Sequence, residues 1–173
     1  MRFIGITGGV GAGKSAILSY LASKTKTKVL LADEIAHELM EPGTDCYHKI
    51  VDAFAGEDIF DVAEENITDE VDAFRTAEGI SLVRDHPPFH RGKLAQVIFS
   101  DEAKREKMNG IVHPAVKDYV ESIYKEESEK GQLHLLVLEA ALLIEEKYDE
   151  ICDELWYIYT NEETRRARLK ESR

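Results

Sequence analysis

Short apolar runs alternate with stretches of helical period along most of the chain. Phe3-Ile4-Gly5-Ile6-Thr7 is compact and apolar, as a buried parallel strand would be. Ala16-Ile17-Leu18-Ser19-Tyr20-Leu21-Ala22 follows with helical periodicity. Lys28-Val29-Leu30-Leu31-Ala32 is a second strand run closed by Asp33, and a helix is expected from Glu34 to Met40. Pro42-Gly43 breaks the chain. Thr44 can cap a further helix with Tyr47, Ile50, Val51 and Phe54 on one face and Gly56 at its end. From Glu57 to His90 no period is sustained. That stretch reads as an excursion with short helical pieces, and His86 and His90 as solvated loop histidines.

Regularity returns at Arg91, where Leu94, Ala95, Ile98 and Phe99 recur at helical spacing. Ser100 or Asp101 can cap a helix running to about Val112, and His113-Pro114 is expected to restart the chain, since proline suits a first helical turn. Val116, Tyr119, Val120, Ile123 and Tyr124 form a packing stripe on the next helix, and Gly131 is its expected stop. Leu135-Leu136-Val137-Leu138 is a third strand closed by Glu139, and Leu155 to Thr160 a fourth. Asn161 can cap a last helix carrying Arg165, Arg166, Arg168, Lys170 and Arg173. Strands alternating with helices predict an α/β fold with a parallel sheet covered on both faces. The mostly helical residues between Asp33 and His134 number about a hundred, far more than a normal crossover. They are expected to form a helical lobe over the strand C-termini.

Composition narrows the partners. The chain has 173 residues and a formal net charge of -12, which argues against a nucleic-acid partner because phosphate backbones recruit basic surfaces. A small phosphorylated ligand needs only a local nest of N–H groups and a few cations. No apolar run approaches membrane-spanning length, and a strand starting at residue 3 leaves no room for a signal peptide. Cys46 and Cys152 are too few for a disulfide framework and read as small, partly buried side chains. A cytoplasmic location is expected; oligomeric state stays open.

The chemistry centres on Gly8-Gly9-Val10-Gly11-Ala12-Gly13-Lys14-Ser15, which fits G-x-x-x-x-G-K-[ST] in full between a strand and a helix. Glycines let main-chain N–H groups approach phosphate without a Cβ in the way. The helix adds its positive N-terminal end. Lys14 can reach the β- and γ-phosphates and the Ser15 hydroxyl can sit on Mg²⁺. Asp33 ends a strand on the edge where open α/β sheets bind ligands, so its carboxylate can meet a substrate hydroxyl or cap the following helix. Glu139 closes an apolar strand, as does the acid that holds Mg²⁺ through water in phosphate-loop enzymes. Arginines on the last helix match phosphate geometry, beside their ordinary role of complementing the helix dipole.

Taken in order, the residues resemble the dephospho-coenzyme A kinases. The resemblance runs through Ile4–Ser15, Ala32–Leu39, Arg91-Gly92-Lys93-Leu94 with Val97-Ile98-Phe99, Ile111–Pro114, Glu139–Glu145 and Arg168-Leu169. The phosphate loop is shared by many families; the ordered set is much more specific. It implies a three-layer P-loop NTPase fold like that of nucleoside-monophosphate kinases. The expected parts are a P-loop core (1–40 and 132–161), a helical substrate lobe (41–131) and the start of a lid (162–173), with the lid truncated. It implies ATP-dependent phosphorylation of the ribose 3′-hydroxyl of dephospho-coenzyme A, the last step of coenzyme A synthesis. In that picture Gly9, Gly11, Ala12, Gly13, Lys14, Ser15 and Ala16 hold ATP, and Ser15 and Glu139 hold Mg²⁺. Asp33 matches the family's base, Arg168 touches the transferring group, and Asp33, Arg91 and His113 meet the acceptor. Leu31 stands where many relatives have another acid, Glu139 replaces an aspartate, Ala141 replaces a proline, and the stretch from Phe74 to His90 is longer than typical. The rivals are another small-molecule kinase on this scaffold and an ATP-binding homologue that transfers nothing.

Overall fold

A computed structural model describes residues 1–60 and 87–171. Most of the excursion expected from Glu57 to His90, including Phe74 and His86, lies outside the described residues, as does Arg173. The elements are β1 (Arg2–Thr7), α1 (Lys14–Ala22), β2 (Thr27–Leu31), α2 (Ala32–Leu39), α3 (Asp45–Ala53), α4 (Arg91–Ser100), α5 (Glu102–Lys130), β3 (Leu135–Glu139), β4 (Glu154–Tyr157) and α6 (Glu162–Glu171). Two compact units emerge, Met1–Ala36 with His113–Arg173, and His37–Val112. The second changeover falls at His113, in mid-helix.

The first unit is built on a four-stranded sheet of order β2-β3-β1-β4, every pairing parallel. Glu139 at the end of β3 is level with Ile6 on one side and Leu31 on the other, so three strands finish together. Central β1 and β3 bury Phe3, Ile4, Ile6, Leu136, Val137 and Leu138, as strands covered on both faces must. Ile17, Leu18 and Leu21 of α1 pack against Ile4, Ile6 and Val137. Val116 and Val120 of α5 are buried, and Tyr124 stacks on Phe3 with ring centres 5.2 Å apart, so the aromatic stripe is packing. Glu127, also buried, accepts a hydrogen bond from Lys28 Nζ at 2.9 Å. That bond and the charges of Lys28 and Lys130 hold its carboxyl below the usual range against the opposing effect of burial.

In the second unit Thr44 caps α3 as expected, its hydroxyl accepting from the Tyr47 N–H at 3.0 Å. Tyr47, Ile50 and Phe54 are buried, and the Tyr47 hydroxyl donates to the Pro87 carbonyl at 2.8 Å. Phe89 stacks on Phe60 and tilts against Tyr47. His90 is not a loose loop histidine: its Nδ1 accepts from the Lys93 N–H at 3.1 Å and caps α4.

Three local expectations are corrected. Residues 102–130 form one helix with Pro114 inside it, with no restart at His113. Proline there removes one hydrogen bond and crowds the carbonyl four residues back. That residue is Gly110, and the buried positions Met108, Val112, Val116 and Val120 continue at spacing four past the proline. Packing along the stripe outweighs the local break. Next, α2 begins at Ala32, which puts Asp33 inside its first turn and not at its cap. Finally, β4 ends at Tyr157, short of Thr160, because the chain then leaves the sheet to serve the phosphate loop.

Candidate functional site

β1 ends at Thr7 and α1 begins at Lys14, so the glycine-rich loop joins a central strand to a helix N-terminus. Gly11 and Gly13 have φ of 78° and 99°, a left-handed backbone that residues with a Cβ rarely adopt. Gly13 is also the N-cap of α1, which has no side-chain cap and no acid in its first turn. The helix's leading N–H groups and its positive end therefore remain available to an anion. Lys14 Nζ donates to the Gly8 carbonyl at 2.7 Å and lies 3.5 Å from Glu139 Oε1. Less than a fifth of either side chain is exposed, so this pair is only weakly screened. Glu139 thus sits at the loop, as its strand-end position implied.

The loop's other carbonyls are engaged as well. Gly9 O accepts the Ala12 N–H at 3.1 Å, Val10 O accepts Arg165 Nε at 3.0 Å, Gly11 O accepts Arg168 Nη1 at 3.2 Å, and Ala12 O accepts the Thr160 hydroxyl at 2.8 Å. Asn161 caps α6 by accepting from the Thr164 N–H at 2.9 Å. The structure therefore brings Lys14, Ser15, Glu139 and Arg168 to one loop. It adds Arg165 and Thr160, which the sequence reading did not assign. Their signal was available only in part, as arginines three residues apart that share a helix face.

The other predicted residues lie elsewhere in their units. Asp33 is exposed in the first turn of α2, and among the described residues its side chain makes no hydrogen bond or ion pair. It follows a strand end that is level with Glu139. His113 Nδ1 lies 2.6 Å from Glu146 Oε1, tying α5 to the segment after β3. Arg91 opens α4 in the second unit and lines a pocket of about 260 Å³ with His37, Met40, Phe89, Leu94 and Ile98. Among the described residues no group of three or more His, Cys, Asp or Glu side chains is placed to hold a metal ion. Both cysteines are free thiols. Burial, with help from Asp153 and Asp149, pushes Cys152 up to about 12, so it is protonated at neutral pH.

A parallel sheet whose central strand runs through a phosphate loop into a helix defines the class: a P-loop α/β nucleotide-binding protein. The family model for dephospho-CoA kinase matches residues 2–71 and 63–173. A dephospho-CoA kinase of Geobacter sulfurreducens is 32% identical over 98% of this chain and 73% of that protein. One from Oceanobacillus iheyensis is 30% identical over 96% of this chain and 70% of that protein. The chain belongs to the dephospho-CoA kinase family. Its span of the curated relatives compared runs from 60% to 73% of their length. The crystal structure of TT1252 from Thermus thermophilus shares the fold at a TM-score of 0.65 and 23% identity, covering 98% of this chain and 71% of that one.

Proposed function

We propose that this chain carries out ATP-dependent phosphorylation of the ribose 3′-hydroxyl of dephospho-CoA, giving CoA and ADP. The observation that carries the reading is Lys14, set between the Gly8 carbonyl and Glu139 beside an uncapped helix N-terminus, in a chain of this family. Main-chain N–H groups of Gly11 and from Gly13 to Ala16 hold the phosphates, the Ala12 N–H being engaged by the Gly9 carbonyl. Lys14 offsets charge on the β- and γ-phosphates, and Arg168, already at the loop's rim, touches the transferring group. Ser15 and, through water, Glu139 offer the hard oxygen donors that Mg²⁺ prefers; the ion would neutralise phosphate charge.

Asp33 orients the 3′-hydroxyl. As that oxygen bonds to the γ-phosphorus, the bond from phosphorus to the β–γ bridging oxygen breaks and ADP leaves. The Asp33 carboxylate takes the hydroxyl proton late, since an ordinary carboxylate is too weak a base to remove it early. Its exposure, and the lack of a competing partner among the described residues, support that role. Residues 41–131 form the acceptor lobe, a reading supported by the compact unit His37–Val112. Arg91 at the pocket meets an anionic part of the acceptor. His113 meets it through Nε2, since Nδ1 is engaged by Glu146. Residues 1–40 and 132–161 form the nucleotide core and 162–173 the start of a lid. We place the protein in the cytoplasm; among the described residues no helix is long and apolar enough to cross a membrane.

A coupled ADP-release assay tests the reading with dephospho-CoA, nucleoside monophosphates and shikimate as acceptors. Turnover with dephospho-CoA alone is expected. Preference for another acceptor would reassign the kinase, and ATP binding without ADP release from any acceptor would leave only a nucleotide-binding homologue.

A further inference from the structure

The carbonyls of Gly8 to Ala12 are all engaged, and three of the five by side chains from a stretch about 150 residues later, Thr160, Arg165 and Arg168. A peptide whose carbonyl is drawn outward must aim its N–H the other way, because the peptide unit is planar. Holding the Val10 carbonyl from outside the loop is thus equivalent to fixing the Gly11 N–H of the same peptide unit. Arg165 meets the loop at Gly9, Val10 and Gly11. Its Nε donates to Val10 O, and its guanidinium plane covers Gly9, where an added Cβ would fall 3.0 Å from both Cζ and Nη2. Its own backbone carbonyl would lie 3.3 Å from a Cβ on Gly11. Unlike Arg168, which a phosphate-touching role already absorbs, Arg165 has no place in the mechanism above.

We infer that Arg165 is a positioning residue for the phosphate loop: it fixes the outward Val10 carbonyl through Nε and so sets the amide array that grips the triphosphate. It acts through the main chain and not by its charge on the nucleotide. This rests on the loop binding ATP.

Side-chain length makes the idea testable. Glutamine carries an N–H donor at the same distance along the side chain as arginine Nε. Lysine keeps the charge but has a methylene there. The experiment is calorimetric titration of the full chain and its Arg165→Gln, Arg165→Lys and Arg165→Ala variants with ATP, beside thermal midpoints without nucleotide and kcat at saturating ATP. The expected result is an ATP dissociation constant within about twofold of wild type for Gln, and about 3- to 10-fold weaker for Lys and Ala, the worth of one hydrogen bond. kcat should follow the same order, held near wild type in Gln and lowered in Lys and Ala. Retention in Lys with loss in Gln would overturn the inference in favour of direct charge contact. Equal loss in all three would overturn the Nε assignment. Unchanged affinity throughout, even with lowered thermal midpoints, would leave Arg165 a merely structural residue and also overturn it. A wild-type chain without ATP affinity would instead refute the proposed function, and this inference with it.

Discussion

The two compact units place their polar groups by different means. In Met1–Ala36 with His113–Arg173, the site is made of main chain: a loop between a buried strand and a helix, its carbonyls tied back and Lys14 tied to Gly8 and Glu139. Three level strand ends fix those positions, so little can move without breaking sheet pairing. In His37–Val112, helices are joined by caps, an aromatic cluster around Phe89 and an isolated bridge between Phe60 and Phe89. Its pocket is lined by side chains, among them Met40 and Phe99, which adapt more readily than peptide groups. Transfer of a phosphoryl group demands fixed dipoles, whereas selecting an acceptor tolerates adjustment.

Substitutions can break this contrast. Lys14→Ala should cut turnover by about 10²- to 10³-fold, since it removes charge where charge develops; steady-state assay of purified protein checks it. Arg91→Ala should raise the acceptor KM by about tenfold and leave kcat within a factor of about two, the behaviour of a binding contact in an adjustable unit. Equal damage to kcat would mean that the second unit also positions the reaction.

A smaller effect sharpens the rigid half. Glu127 has a lowered pKa, chiefly through its hydrogen bond from Lys28. Its contribution to stability is therefore present above the ordinary glutamate value of about 4.3 and lost as pH falls through the lower folded value. Thermal midpoints between about pH 3 and 7 should fall less steeply towards acid in Glu127→Gln than in wild type.

The parts of the fold legible in sequence were those decided locally. Thr44, Asn161 and Asp101 cap the helices that follow them, and the Gly131 N–H closes α5 on the Glu127 carbonyl. The glycine loop and the apolar runs of β1 and β3 are equally local. What escaped was settled by distant contacts. Pro114 looked like a break, but the buried stripe from Met108 to Val120 carries the helix through it. Leu155 to Thr160 reads as a full strand, yet pairing with β1 ends at Tyr157 and the Thr160 hydroxyl reaches the Ala12 carbonyl. No local pattern announces that turn towards the loop. Arg165 belongs to the same class, since its partner is Val10 and only parallel pairing of β1 with β4 brings the two stretches together. Asp33 was legible as a strand-end acid but not as a first-turn residue, because a cap and a first-turn position differ by one residue of helix boundary.

The central claim is that an amide-lined loop grips a triphosphate while one exposed carboxylate at the neighbouring strand end serves an alcohol. Asp33→Asn tests it most directly, with turnover on dephospho-CoA and ATP dissociation constant measured on one preparation. Turnover should fall by about 10²- to 10⁴-fold while ATP affinity stays near wild type. Undiminished turnover in that variant would contradict the account.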